Sequence, residues 1–189
     1  VRNLILLPLA TAAGCIDQLL PTLAVGGTAV LAPRASRWDE LLIGERIDSI
    51  AGSVAQLRRC ASAPLEQIRR VAIPGPWNDA AATWAGQLFP AARQLSWWGR
   101  TETSGVGLRL THGDGAGQSI GTTAIGTEFA VRSANDRGVG ELMCRGPHVM
   151  RGYWHDPAAT AARFDGSWLR TGELGRIDAD GRVRLAPTA

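Results

Sequence analysis

Short apolar runs alternate with amphipathic stretches through the first half of the chain. Leu4-Ile5-Leu6-Leu7 predicts a strand, and Gly14 to Ala24 a helix. Thr28 to Leu31 predicts a second strand after Gly26-Gly27, followed by a helix over Trp38 to Arg46. Ser49-Ile50-Ala51 reads as a third strand. Ser53 then opens a helix to Ala61 as its cap, since a serine hydroxyl can accept from a free amide of the first turn. Arg70 to Ile73 gives a fourth strand, Asn78 caps a helix to Leu88, and Gln94 to Trp97 carries the chain to Trp98. Apolar runs too short for helices, separated by helical stretches, are the pattern of a parallel sheet with crossover helices.

After Glu102 the pattern changes. His112 to Gln118 is glycine-rich without hydrophobic period and reads as a linker. Its Asp114 would repel phosphate, and no lysine follows it, so it is not a phosphate loop. Thr127 to Arg132 alternates with period two, and Val139 to Cys144 follows across a glycine-containing turn, as in an antiparallel sheet or small barrel. Gly146-Pro147 and Gly152-Tyr153-Trp154 break the chain. Asp156-Pro157 then opens a helix, with Asp as cap and Pro at the first helical position. Thr171-Gly172-Glu173 places a carboxylate on a tight glycine turn, just before a hairpin that closes through Asp178-Ala179-Asp180-Gly181. The expected organisation is an α/β subdomain over residues 1–104 and a small β-barrel-like subdomain over 105–189.

Composition narrows the function classes. The 189 residues are 45% hydrophobic with a mean hydropathy near zero, as in a soluble globular protein. The formal charge is +3, and all 20 basic residues are arginine. They are scattered, so no nucleic-acid partner is expected. Cys15, Cys60 and Cys144 stand far apart without a CxxC, and His112, His148 and His155 form no metal or nucleophile–base constellation; a reducing, cytoplasmic setting is expected. Arg2 followed by an apolar stretch to Cys15 superficially suggests a lipoprotein signal, but Pro8 interrupts it and the pattern runs on into Thr28–Leu31. The stretch is too short and broken to span a bilayer.

Trp98-Gly99-Arg100-Thr101-Glu102, taken with the order of parts from Gly140 to Gly181, resembles the adenylate-forming, AMP-binding superfamily. Its members include acyl- and aryl-CoA synthetases, firefly luciferase and the adenylation domains of nonribosomal peptide assembly. The resemblance runs along nearly the whole chain and implies ATP or AMP with Mg²⁺, a small carboxylic acid or its acyl-adenylate, and CoA or a carrier-protein thiol as acceptor. By resemblance, Trp98 matches the aromatic residue that packs on adenine, and Gly99 lets the backbone approach the nucleotide. Thr101 matches the hydroxyl bonding the α-phosphate, and Glu102 the carboxylate that helps hold Mg²⁺. Glu173 matches the acid that grips the ribose hydroxyls, where most members carry Asp; Glu moves the charge one methylene outward. Gly75, within Ile73-Pro74-Gly75-Pro76, occupies the place of a Gly-Gly-Ala loop lining the nucleotide and acyl pocket. Leu7-Pro8-Leu9-Ala10-Thr11 resembles a wall of the acyl pocket whose last two residues are usually aromatic and His. Read without the resemblance, Trp98 to Glu102 is equally a strand-end turn with a buried tryptophan and a capping Thr-Glu pair, and Glu173 a solvated turn carboxylate.

What the motif set lacks matters as much. The sequence holds no phosphate loop followed by Lys, and it ends where the family enters a mobile C-terminal domain that supplies a charge-stabilising lysine. The expectation is a fragment or degenerate form of an acid–thiol ligase, with the lysine domain absent and the isolated chain inactive in adenylation. A non-catalytic interaction or scaffold module with the same fold, and a peptide-synthetase adenylation-like domain, are the alternatives. An apolar face over Leu4–Ala24 is expected to recruit a complementing chain or a second copy.

Overall fold

Backbone ladders join the apolar runs into a sheet whose hydrogen-bonding path crosses the whole chain. The computed structural model describes residues 1–31, 38–60, 63–75, 79–111, 119–123 and 125–186. In the first half, β1 (Arg2–Ile5), β2 (Thr28–Leu31), β3 (Ser49–Ala51), β4 (Arg70–Pro74) and β5 (Arg93–Arg100) pair in parallel, in the order β2-β1-β3-β4-β5. The intervening chain forms α1 (Ala12–Gly14), a π turn (Cys15–Leu19), α2 (Leu20–Ala24), α3 (Trp38–Gly44), α4 (Val54–Leu57) and α5 (Asp79–Leu88). The sense of pairing changes at β6 (Gly105–Thr111), which runs antiparallel to β5. The path continues through β7 (Ser119–Thr123), β12 (Val183–Leu185), β11 (Trp168–Ile177), β9 (Gly140–Arg145) and β8 (Glu128–Arg132), a curled antiparallel half-barrel. The short β10 (Phe164–Asp165) follows α6 (Pro157–Arg163) and pairs with β11. The expected parallel α/β sheet followed by an antiparallel barrel-like sheet is the architecture observed.

Two clusters fill the two halves. Leu4, Ile47, Ile50, Leu57, Val71, Ile73 and Phe89 are buried between the parallel sheet and its helices. Trp98, Leu142 and Val183 centre the second cluster, with Phe129, Val131, Ile177 and Leu185 packed around them. Successive side chains of a strand point to opposite faces. Trp97 therefore packs against Ala51 and Ala72 while Trp98 turns into the half-barrel. Two adjacent tryptophans thus seal both faces of β5.

Several elements differ from their expected bounds for identifiable reasons. β1 starts at Arg2, whose amide donates to Asp48 (2.9 Å) while its guanidinium meets Glu45 (2.6 Å), so a charged residue joins the ladder. The first helical stretch starts at Ala12, capped by the Thr11 hydroxyl, which accepts from Gly14 N at 3.1 Å. Gly14 is then needed inside it, because a Cβ there would lie 2.2 Å from the Pro8 carbonyl oxygen. The Ser53 cap forms a reciprocal box with Gln56 (3.2 and 2.8 Å), but the helix stops at Leu57 rather than Ala61. β5 runs through Trp98 and Gly99 to Arg100, so these residues belong to a strand and not to a turn after it. β6, β7 and β10 follow no clear period in the sequence. Asn78 and the His112–Gln118 segment lie outside the described residues.

Asp156 caps α6 by accepting from Ala159 N (2.8 Å), with Pro157 in the first turn. The hairpin through Asp178–Gly181 closes as expected, Asp178 N donating to Arg182 O at 2.8 Å. The apolar face expected over Leu4–Ala24 is confined to Leu9, Ile16, Leu20 and Leu23, because Leu4 and Ile5 are core residues. No helix among the described residues is long and apolar enough to cross a membrane.

A buried polar cluster ties the first helical stretch to the sheet. The Asn3 amide donates to Thr22 Oγ1 (2.9 Å) and Gln18 Oε1 (3.3 Å), and its carbonyl accepts from Ser49 Oγ (2.9 Å). Asn3 is fully buried. A buried polar group left without a partner costs about 1–3 kcal/mol. Asn3→Ala should therefore lower unfolding free energy by at least about 1 kcal/mol in a urea titration; a change within error would mean the network contributes nothing net.

Candidate active site

The C-terminal ends of β4 and β5 open onto a cavity of about 340 Å³, closed on its far side by β11. Crevices beyond the carboxyl ends of parallel strands are the usual ligand sites of such sheets, because the backbone there stops pairing and the loops diverge. Gly75, Trp98, Gly99, Thr101 and Glu173 all line the cavity, so the fold joins residues from both halves of the chain. Thr11, Asp17 and Arg100 line it as well. Gly75 turns the chain at φ +84°, a left-handed conformation glycine adopts without a Cβ penalty, and its amide donates to Trp97 O at 2.7 Å. Gly99 sits where the β5–β6 register shifts, a bulge that redirects the strand end.

Glu173 lies on a bulge inside β11, not on a turn before a hairpin. Pairing with β9 breaks between Arg170 and Leu174, where three residues of β11 stand against one of β9, and Gly172 takes φ +73° to accommodate the two extra residues. Thr171 anchors the bulge: its hydroxyl donates to Leu142 O (2.7 Å) and accepts from Glu173 N (3.1 Å). The Glu173 carboxylate then reaches across to β5. Oε2 accepts from the Trp98 indole N–H at 2.8 Å, and Oε1 accepts from Arg100 Nη2 at 2.9 Å and Nε at 3.3 Å. The extra methylene of Glu, relative to Asp, is taken up in this reach. Trp98 is only 6% exposed and stands edge-on to Phe129, with ring centroids 5.5 Å apart, so most of its ring surface is already packed.

Thr101 opens a 3-10 turn over Thr101–Thr103, and its side chain is exposed. Thr103 holds that turn: its hydroxyl accepts from Arg100 N at 2.8 Å and lies 3.0 Å from the Arg100 and Gly105 carbonyls. Glu102 does not line the cavity. Its Oε1 accepts from the Tyr153 hydroxyl at 2.7 Å, and its backbone carbonyl accepts from Met150 N at 2.8 Å. The Tyr153 hydrogen bond is the main reason the Glu102 carboxyl is held below its usual range, with Arg100 and Arg163 adding to it against partial burial. The Glu102 backbone N–H also bonds to its own carboxylate.

Leu7, Pro8 and Leu9 line a second, mostly apolar hollow of about 480 Å³ together with Trp38 and Arg59. Thr11 belongs instead to the first cavity, so the Leu7–Thr11 segment separates the two. Sequence reasoning passed over Arg100, Thr103, Tyr153 and Thr171. Arg100 carried a visible signal: a charged residue inside the motif, facing an unusually long acid.

Comparisons with known proteins show the family of this chain. Residues 2–154 match the family model of AMP-binding enzymes. The indoleacetate–CoA ligase of Aromatoleum aromaticum is 28% identical over 95% of this chain and 38% of its own length. A feruloyl-CoA synthase of an Amycolatopsis species is 30% identical over 95% of this chain and 40% of its own. O-succinylbenzoate coenzyme A synthetase from Bacillus subtilis, solved in complex with ATP and magnesium ion, superimposes with a TM-score of 0.83 at 26% identity, over 97% of this chain and 41% of that one. The chain thus spans about two-fifths of the length of these relatives. With a family model over most of its residues and a matching fold throughout, the chain belongs to the AMP-binding enzyme family, that of the adenylate-forming acyl- and aryl-CoA ligases.

Proposed function

We propose that this chain provides the nucleotide-binding face of an adenylate-forming acyl- or aryl-CoA ligase, holding the adenylate part of ATP, AMP or an acyl-adenylate made from a small carboxylic acid. The observation that carries this reading is the single cavity where Glu173 from β11 meets Trp98, Gly99 and Thr101 from the end of β5. In this reading the Glu173 carboxylate accepts from a ribose hydroxyl on Oε2, which takes only the Trp98 bond, since two oxygens offer about four acceptor sites and three are used. Thr101 donates to the α-phosphoryl group, and Gly75 gives the nucleotide a wall without side chain. Trp98 borders the adenine with the limited ring surface that its packing leaves open. Glu102, next to Thr101 but outside the cavity lining, would be the carboxylate for Mg²⁺, whose chemistry is to neutralise charge on the phosphates. The apolar hollow at Leu7–Leu9 suits the hydrocarbon part of the acid. The synthetase of Bacillus subtilis has been solved with AMP and with an acyl-adenylate intermediate, which supports the ligand class. Relatives are named as CoA ligases, which favours CoA over a carrier-protein thiol as acceptor.

Expected affinity is low. Charge-assisted hydrogen bonds from a carboxylate to the ribose contribute roughly 1.5–3 kcal/mol each, and much of the sum is consumed by the association cost. AMP should bind the 189-residue chain with a Kd on the order of 0.1 mM or weaker. Glu173→Ala should weaken AMP about 10-fold or more, the equivalent of one such bond. Glu173→Asp should weaken it too, because the shorter acid leaves the Trp98 N–H unpaired. Isothermal calorimetry decides: unchanged AMP affinity in Glu173→Ala would remove the ribose assignment.

The same polypeptide should not form acyl-adenylate by itself. Its 189 residues include no lysine to stabilise charge developing at phosphorus. Carboxylate-dependent pyrophosphate–ATP exchange above a protein-free control would refute this.

A further inference from the structure

We infer that Arg100 is the oxyanion anchor of the cavity, holding Glu173 with one edge of its guanidinium and the phosphoryl group of an adenine mononucleotide with the other. The inference rests on the nucleotide reading above and adds to it the residue that selects a charged ligand over a neutral nucleoside.

Three observations carry it. First, Arg100 is the one cation lining this cavity among the described residues; the other ionisable groups described there, Asp17 and Glu173, are both acids. An anion entering a cavity with two carboxylates and one guanidinium needs that guanidinium. Second, Nε and Nη2 both face Glu173 Oε1, whereas Nη1 has no partner among the described residues. A guanidinium presents five donors in a rigid plane, so one edge can stay on a carboxylate while another meets an oxyanion. Third, the side chain is 32% exposed, which leaves this open edge accessible. Arg100 immediately precedes Thr101, so the cation and the exposed hydroxyl are presented from the same turn. A phosphate monoester or an acyl-phosphate mixed anhydride is the chemical class that both would recognise.

The test compares AMP with adenosine on the full 189-residue chain by calorimetry. Wild type should bind AMP roughly 10-fold more tightly than adenosine, the worth of one charge-assisted contact. Arg100→Gln keeps an amide donor for Glu173 but removes the charge; it should bring the AMP and adenosine affinities to within about two-fold of each other. In wild type, raising ionic strength from about 0.05 to 0.5 M should weaken AMP and leave adenosine unchanged, a reading that needs no variant to fold. The inference is overturned if Arg100→Gln keeps the AMP preference, or if it weakens AMP and adenosine in parallel, which would make Arg100 only a prop for Glu173. Equal wild-type binding of AMP and adenosine would overturn it while leaving the nucleotide reading standing. Binding of neither ligand by wild type would remove both.

Discussion

One carboxylate joins the two halves of this protein at the place where its chemistry would occur. Glu173 on β11 meets Trp98 and Arg100 on β5, residues 75 and 73 positions away in sequence. Both oxygens are engaged, so the side chain cannot rotate without giving up a neutral indole donor or a cationic one. The indole itself is fixed by the half-barrel core, where Phe129 stands against its ring and Leu142 and Val183 are fully buried. Packing therefore orients Trp98, Trp98 orients Glu173, and Glu173 orients Arg100. Each link depends on the one before it.

The bulge at Thr171-Gly172-Glu173 makes this possible. In a regular strand, alternation would assign each side chain strictly to one face. Here three residues of β11 stand against one of β9, so regular pairing is interrupted, and Gly172 takes the left-handed conformation that a side chain would strain. Thr171 secures the distortion by bonding Leu142 O and Glu173 N together. The result is an acid lifted from the sheet and aimed at the end of β5. The second bulge, at Gly99, lies on the facing strand. Two irregularities on opposite sides of one cavity are consistent with the tendency of bulges to re-aim side chains beside sites.

Much of the α/β half was legible because its signals are local. The Ser53 cap and the four apolar runs before β5 each follow from adjacent residues, as does the Asp156-Pro157 helix start in the other half. The half-barrel was legible only in part. Residues 127 to 132, which hold β8, alternate with period two, whereas β6 and β7 are glycine- and threonine-rich strands whose pairing is supplied by neighbours distant in sequence. The motif from Trp98 to Glu102 read as a strand-end turn with a buried tryptophan; in the fold Trp98 is buried, the strand runs on to Arg100 with Gly99 at a bulge, and the turn begins at Thr101. The site was visible as a set of residue types but not as a network. Nothing local indicates that Glu173 spans to Trp98 and Arg100, or that Tyr153 turns Glu102 away from the cavity. Those are consequences of how β11 and the Met150–Tyr153 segment lie over the end of β5.

The site's parts also differ in how freely they can respond to a ligand. Trp98 is nearly buried, and moving it would disturb the core that centres the half-barrel. The Arg100–Glu173 pair is different, with side chains 32% and 27% exposed. Partly exposed pairs of this kind contribute little to stability, because solvent screens the attraction and ordering two long side chains costs entropy. Rearranging the pair is correspondingly inexpensive. A pair worth so little to the fold is better suited to orienting its two charges than to holding the halves together. The covalent path, the β5–β6–β7–β12–β11 ladder and the indole packing already do the latter. What the ion pair adds is a defined direction for an anionic and a cationic edge on either side of one opening.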